Sequence, residues 1–105
     1  MTADNFDQLK DFCSSYFHED WVLDAEDSDQ AVSSFLSVGW SADELRKLSE
    51  QILRFADRYS NDAALEQGLL SELGCYYLPS ADNTSAREWL QHVAATLLEA
   101  AGPAR

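Results

Sequence analysis

The sequence predicts an all-α fold, a compact bundle of about five helices in a single domain of residues 1–105. Three observations predict it. Apolar residues recur at spacings of three and four, the period of a helix that buries one face. Several segments begin with Ser or Asp followed three residues later by Glu or Gln, which is the pattern of a capping box. The alternation of apolar and polar residues that marks half-buried strands is nearly absent.

The third predicted helix has the strongest pattern. Ser41 and Glu44 form a capping box at its start, in which each side chain satisfies a free backbone donor. The apolar residues that follow keep a continuous three-four spacing: Leu45, Leu48, Ile52, Phe55 and Tyr59. This stripe predicts a long helix with one face in the core.

Four further helices are predicted at about residues 4–17, 28–38, 62–73 and 85–101. Asp27 with Gln30 forms a capping box before the second of the five helices. Gly39 and Gly74 follow two of the segments, at the position where a left-handed residue commonly ends a helix.

The connections between these helices are short. Residues 18–23 and 75–78 could each form a short strand, but two such pieces do not make a sheet-based domain. Pro79 disfavours helix at Leu78, so this second piece is expected to be extended or irregular. Residues 80–84 are polar and are predicted to form a loop.

The charge balance restricts the class of partner. The chain carries 19 acidic and 7 basic side chains, a formal net charge of −12. Such a surface repels phosphates, so binding to nucleic acid and to anionic membranes is not expected. A basic protein would be attracted to it.

The setting expected for the chain is the cytoplasm. No apolar run approaches the roughly 20 residues of a membrane span, and the N-terminus lacks the basic and apolar regions of a signal peptide. Cys13 and Cys75 are the only cysteines, too few for a disulfide framework or a zinc site. A reducing compartment suits them, and both are predicted to be buried thiols.

No catalytic motif is present, so neither an enzyme nor a cofactor or metal site is predicted. The sequence lacks a phosphate-binding glycine loop, a nucleophile elbow and a helical histidine pair for zinc. His18-Glu19-Asp20 is the only dense group of potential ligands, and three consecutive residues do not face one way. The alternative interpretation is a helix end with His18 near the terminal carbonyls.

The acidic residues are segregated along the chain. No Lys or Arg lies between Lys10 and Arg46, whereas six acids fall within residues 19–29: Glu19, Asp20, Asp24, Glu26, Asp27 and Asp29. Clustering of like charges costs stability, so a partner-facing surface explains it more directly than solubility does. The alternative is a solvated loop between two helices. We add Trp40, at a helix junction, as a candidate exposed anchor, and expect Trp21 and Trp89 in the core.

Three pieces of the chain together resemble a known family. They are Tyr16-Phe17-His18-Glu19-Asp20-Trp21, Leu73-Gly74-Cys75-Tyr76-Tyr77 and Arg87-Glu88-Trp89-Leu90. Their order and spacing resemble the immunity proteins of bacterial contact-dependent growth inhibition systems. The resemblance implies a cytoplasmic inhibitor that binds and neutralises the C-terminal toxin domain of a large surface protein delivered by a neighbouring cell. Such toxins are often nucleases, whose phosphate-binding surfaces are basic.

An enzyme is one rival function and has only the His18-Glu19-Asp20 group in its favour. The composition leaves another rival to an immunity protein. An acidic, non-enzymatic adaptor or regulator of another basic protein would have the same charge and the same lack of catalytic motifs. The gene neighbourhood separates the two, since an immunity protein is expected directly after the gene of its toxin.

Overall fold

The structure is a computed structural model that describes residues 6–102, apart from the side chain of Asp24. The elements in chain order are α1 (Asp7–Tyr16), α2 (Trp21–Asp24), α3 (Ser28–Leu36), α4 (Ala42–Asp57), α5 (Asp62–Leu73), a 3₁₀ helix (Pro79–Asp82) and α6 (Ala86–Ala101). The described residues contain no strand. The predicted all-α bundle is therefore confirmed.

The packing of α4 against α6 is the most extensive between any two elements. The predicted apolar stripe is buried from Leu45 to Phe55, whereas Tyr59 lies beyond the end of α4 and is partly exposed. The buried hydroxyl of Ser49 donates a hydrogen bond of 2.7 Å to the backbone oxygen of Ala94, which joins the two helices inside the core. The complete capping box between Ser41 and Glu44 fixes where α4 begins.

Polar contacts hold the ends of α4, α5 and α6 together. The guanidinium of Arg87 donates to the backbone oxygens of Ala56, at 3.0 Å, and Tyr59. A cation at this end of α4 is favoured by the partial negative charge of the terminal carbonyls. The carboxylate of Asp62 accepts from the backbone nitrogens of Ala86 and Arg87, at 2.9 and 3.0 Å.

Two connections differ from expectation. Residues 18–23 do not form a strand but contain the first three residues of α2, a helix of four residues that is too short to show a period in the sequence. Its first residue, Trp21, is buried as predicted, with its ring centroid 5.4 Å from that of Phe17. The polar loop predicted at residues 80–84 is partly a 3₁₀ helix, which begins at Pro79 because the fixed φ of proline suits a helix start.

Phe17 lies at the centre of an aromatic cluster that joins four parts of the chain. Its ring is fully buried. Four ring centroids lie between 5.3 and 6.0 Å from it: those of Phe12, Trp21, Tyr77 and Trp89. Its backbone oxygen accepts a hydrogen bond of 2.7 Å from the nitrogen of Tyr76. The extended segment of residues 75–78 is therefore fastened to the end of α1 by both backbone and side-chain contacts.

Tyr77 links this cluster to the 3₁₀ helix. Its ring is buried, and its hydroxyl donates a hydrogen bond of 2.7 Å to the carboxylate of Asp82. Burial, followed by this hydrogen bond, raises the pKa of Tyr77 to about 12. The fold therefore favours the neutral phenol.

We predict that the stability of the protein falls in alkaline solution partly through Tyr77. Its pKa is higher in the folded chain than the value of about 10 in the unfolded chain, so its contribution is complete below about pH 10. That contribution is lost as the pH rises through about 12. The free energy of unfolding in urea, measured across this range, should decline less steeply for Tyr77→Phe than for the wild type. Tyr76→Phe is the control, and equal slopes for both variants would contradict the assignment.

Candidate partner-binding site

The described acidic side chains of residues 19–29, a segment called the acidic connection below, lie at the surface. Glu19 and Asp20 precede α2, Glu26 and Asp27 lie between α2 and α3, and Asp29 is in the first turn of α3. All five side chains are exposed. The backbone of Asp24 ends α2, and its side chain lies outside the described part of the structure.

Two of these acids also have structural roles. The carboxylate of Asp27 accepts from the backbone nitrogen of Gln30 at 2.8 Å and caps α3. Gln30 reaches back to the backbone nitrogen of Glu26 rather than to that of Asp27, so the predicted capping box is displaced by one residue. Asp29 lies 3.0 Å from the imidazole of His92 on α6.

The carboxylates of Glu19, Asp20 and Glu26 make no ion pair or hydrogen bond within the described part of the chain. At Asp20 it is the backbone nitrogen that is engaged, donating to the imidazole of His18 at 3.1 Å. Removing these three charges would therefore disrupt no described contact of the folded chain.

An open groove of about 390 Å³ adjoins the acids, between α2 and residues 76–82. Its exposed apolar side chains are Val22, Tyr76 and Leu78, which are 64%, 47% and 46% accessible to solvent. These exposures are high for large apolar residues. All three side chains line the same concave surface. The buried rings of Trp21 and Tyr77, 5.5 Å apart between centroids, form part of its lining.

Three carboxylates line the same groove. They belong to Glu26, Asp27 and Asp82, and no Lys, Arg or His is among the lining residues. The groove therefore combines an apolar surface with a negative field.

The groove was not predicted from the sequence, although the extended segment expected at residues 75–78 indicates one of its walls. Successive side chains of an extended segment point to opposite sides. Along residues 75–79 burial alternates accordingly, with Cys75, Tyr77 and Pro79 buried and Tyr76 and Leu78 exposed. The contribution of Val22 depends on α2, a helix of four residues that is too short to leave a helical period in the sequence.

Trp40 lies beyond the other end of α3. Its ring stacks on that of Phe35 with centroids 4.8 Å apart, and its indole nitrogen donates to the Phe35 backbone oxygen at 2.8 Å. The side chain remains 38% exposed and lines a smaller cavity of about 140 Å³, beside Asp11 and Glu44. Since α3 has nine residues, Trp40 and Asp27 are separated by roughly 13 Å of helix.

The remaining candidate chemical groups belong to the core. Trp89 is buried as predicted, as are both cysteines. A hydrogen bond with Cys75, followed by burial, raises the pKa of the Cys13 thiol well above its usual value. A thiol that stays protonated is a poor nucleophile. Within the described residues, no three His, Cys, Asp or Glu side chains are grouped as metal ligands would be.

No helix in the described part of the chain is both long enough and apolar enough to span a bilayer. Comparisons with curated proteins and with solved structures give no match. The family model described as CdiI immunity protein matches residues 5–97. Because this match covers most of the chain, and includes all three motifs on which the resemblance was based, the protein belongs to the CdiI family of toxin-neutralising immunity proteins.

Proposed function

We propose that this immunity protein acts in the cytoplasm and neutralises a cognate toxin domain that has a basic surface and is a nuclease. In this proposal the carboxylates of residues 19–29 bind the basic surface of the toxin. The observation that carries it is the exposure of every described carboxylate in this stretch, which contains no Lys or Arg. The proposed activity is binding alone.

Electrostatic complementarity supports a nuclease as the target. A nuclease holds phosphate with basic side chains, so its substrate-binding surface attracts carboxylates. Opposite fields on two proteins speed their encounter and align them before contact. An inhibitor with a net charge of −12 would therefore reach a basic toxin quickly.

The two cysteines support the cytoplasmic setting. Cys13 and Cys75 are both buried and neither forms a disulfide. Free thiols are typical of proteins that work in a reducing compartment.

The proposed toxin-binding residues are the six acids of the connection and Trp40: Glu19, Asp20, Asp24, Glu26, Asp27, Asp29 and Trp40. Trp40 supports the proposal by its rigidity. Because its ring is already stacked on Phe35, a partner that covers it would lose little conformational entropy by ordering it.

We predict that the variant with Asp24→Asn, Glu26→Gln, Asp27→Asn and Asp29→Asn associates with the toxin domain about tenfold more slowly at low salt. The four changes remove charge but keep the size of each side chain. Asn caps a helix as well as Asp does, so α3 should still form. The association rate should also depend less on salt concentration than that of the wild type, as measured by surface plasmon resonance.

The control variant removes four exposed acids elsewhere: Asp43→Asn, Glu50→Gln, Asp57→Asn and Glu99→Gln. It has the same net charge as the test variant, so any difference in rate reports the position of the charges. Equal association rates for the two variants would show that only the total charge matters, and the acidic connection would then not be the toxin-binding surface.

We predict that Trp40→Ala dissociates from the toxin domain about 30-fold faster than the wild type. This factor corresponds to a loss of about 2 kcal/mol of binding free energy, as expected when an aromatic anchor at an interface is removed. Trp40→Phe, which keeps a ring on Phe35, should show a smaller effect. Val38→Ala alters an exposed residue at the same junction and serves as the control. If folded Trp40→Ala dissociates like the wild type, Trp40 lies outside the interface.

A further inference from the structure

We propose that the groove between α2 and residues 76–82 is the anchoring centre of the interface and receives an apolar side chain of the toxin that is flanked by Lys or Arg. This inference rests on the proposed function, since it takes a basic toxin domain as the partner. It adds where the toxin is held and which kind of toxin segment is held there.

Three exposed apolar side chains lie together in the groove. Val22, Tyr76 and Leu78 come from two separate segments and line one groove. Leu53, Leu70 and Leu98 are exposed to a similar degree, at 40%, 42% and 43%, but none of them lines the groove. Single exposed apolar residues are common on protein surfaces, whereas a contiguous exposed patch marks an interaction site.

The charges around the groove specify its occupant. Asp82 accepts from Tyr77 through one carboxylate oxygen, and Asp27 accepts from Gln30 through one of its own. Each therefore keeps an oxygen for a further donor and is held in place by its existing bond. The carboxylate of Glu26 has no partner among residues 6–102. Cationic groups on both sides of an apolar side chain would meet these carboxylates, while an acidic segment would be repelled.

The groove is already formed in the free protein. The nitrogen of Tyr76 is bonded to the Phe17 backbone oxygen at 2.7 Å. The backbone nitrogen and the hydroxyl of Ser80 donate to the carboxylate of Glu66 on α5, at 2.9 and 3.0 Å. These contacts hold the wall of residues 76–82 near both ends, so that binding does not need to order it. The contact between this wall and an apolar side chain of the toxin can then slow dissociation.

The variants Tyr76→Ser and Leu78→Ser test the inference. Each should dissociate from the toxin domain at least about tenfold faster, with an association rate close to that of the wild type, because apolar contacts form after encounter. Val22→Thr, which keeps the shape of the side chain, should show a smaller change in the same direction. The toxin domain used is the C-terminal domain of the large surface protein whose gene is expected directly upstream.

Three matched controls make the result specific to the groove. Leu53→Ser, Leu70→Ser and Leu98→Ser remove apolar side chains of the same exposure from other surfaces and should dissociate like the wild type. Circular dichroism and thermal unfolding of every variant show whether the fold is retained. If the folded groove variants dissociate no faster than these controls, the groove is not the anchor, although the proposed function stands.

Two further outcomes would overturn the inference in other ways. If the wild-type protein self-associates in analytical ultracentrifugation and Leu78→Ser does not, the groove is occupied by a second copy of the chain. If the wild-type protein does not bind the toxin domain at all, the proposed function fails and the assignment of the groove fails with it.

Discussion

The position of Phe17 constrains both the core and the candidate binding surface. Its ring lies between side chains of α1, α2, α6 and residues 75–78, and its backbone oxygen accepts from Tyr76. Replacing a buried Phe by Ala typically lowers the free energy of unfolding by several kcal/mol. Because both walls of the groove are in contact with Phe17, the groove depends on the same interactions that stabilise the bundle.

The start of α3 stabilises two negative charges of the acidic connection. Asp27 caps α3, Asp29 lies in its first turn, and negative side chains are stabilised there by the partial positive charge of the free backbone donors. The contact between Asp29 and His92 adds a link to α6. Glu19, Asp20 and Glu26 gain no such described contact through their carboxylates, so their cost to the fold is the least compensated. In the proposed function, binding to a basic toxin surface would offset that cost.

Most residues of the family motifs serve the fold. The motifs therefore identify the family but do not indicate which residues contact the toxin. Phe17, Trp21 and Trp89 are buried together, and Gly74 ends α5 in the left-handed conformation. Arg87 binds the last carbonyls of α4. Tyr76 is the motif residue whose ring is exposed in the groove.

Local patterns predicted the longer helices, and contacts distant in sequence determined the rest. The stripe and capping box of α4 are encoded within a few consecutive residues, so its position could be predicted. The grouping of the six acids within residues 19–29 could be predicted for the same reason. The groove could not, because it requires α2 and the hydrogen bond between Phe17 and Tyr76, and neither leaves a periodic signal in the sequence.

Hydrogen–deuterium exchange of the free and toxin-bound protein measures the toxin-binding surface most directly. We expect slower exchange in the complex at the backbone amides of residues 19–29, which carry the acids, and of residues 76–82, which border the groove. A complex in which both segments exchange as fast as in the free protein, while amides elsewhere become protected, would contradict this expectation.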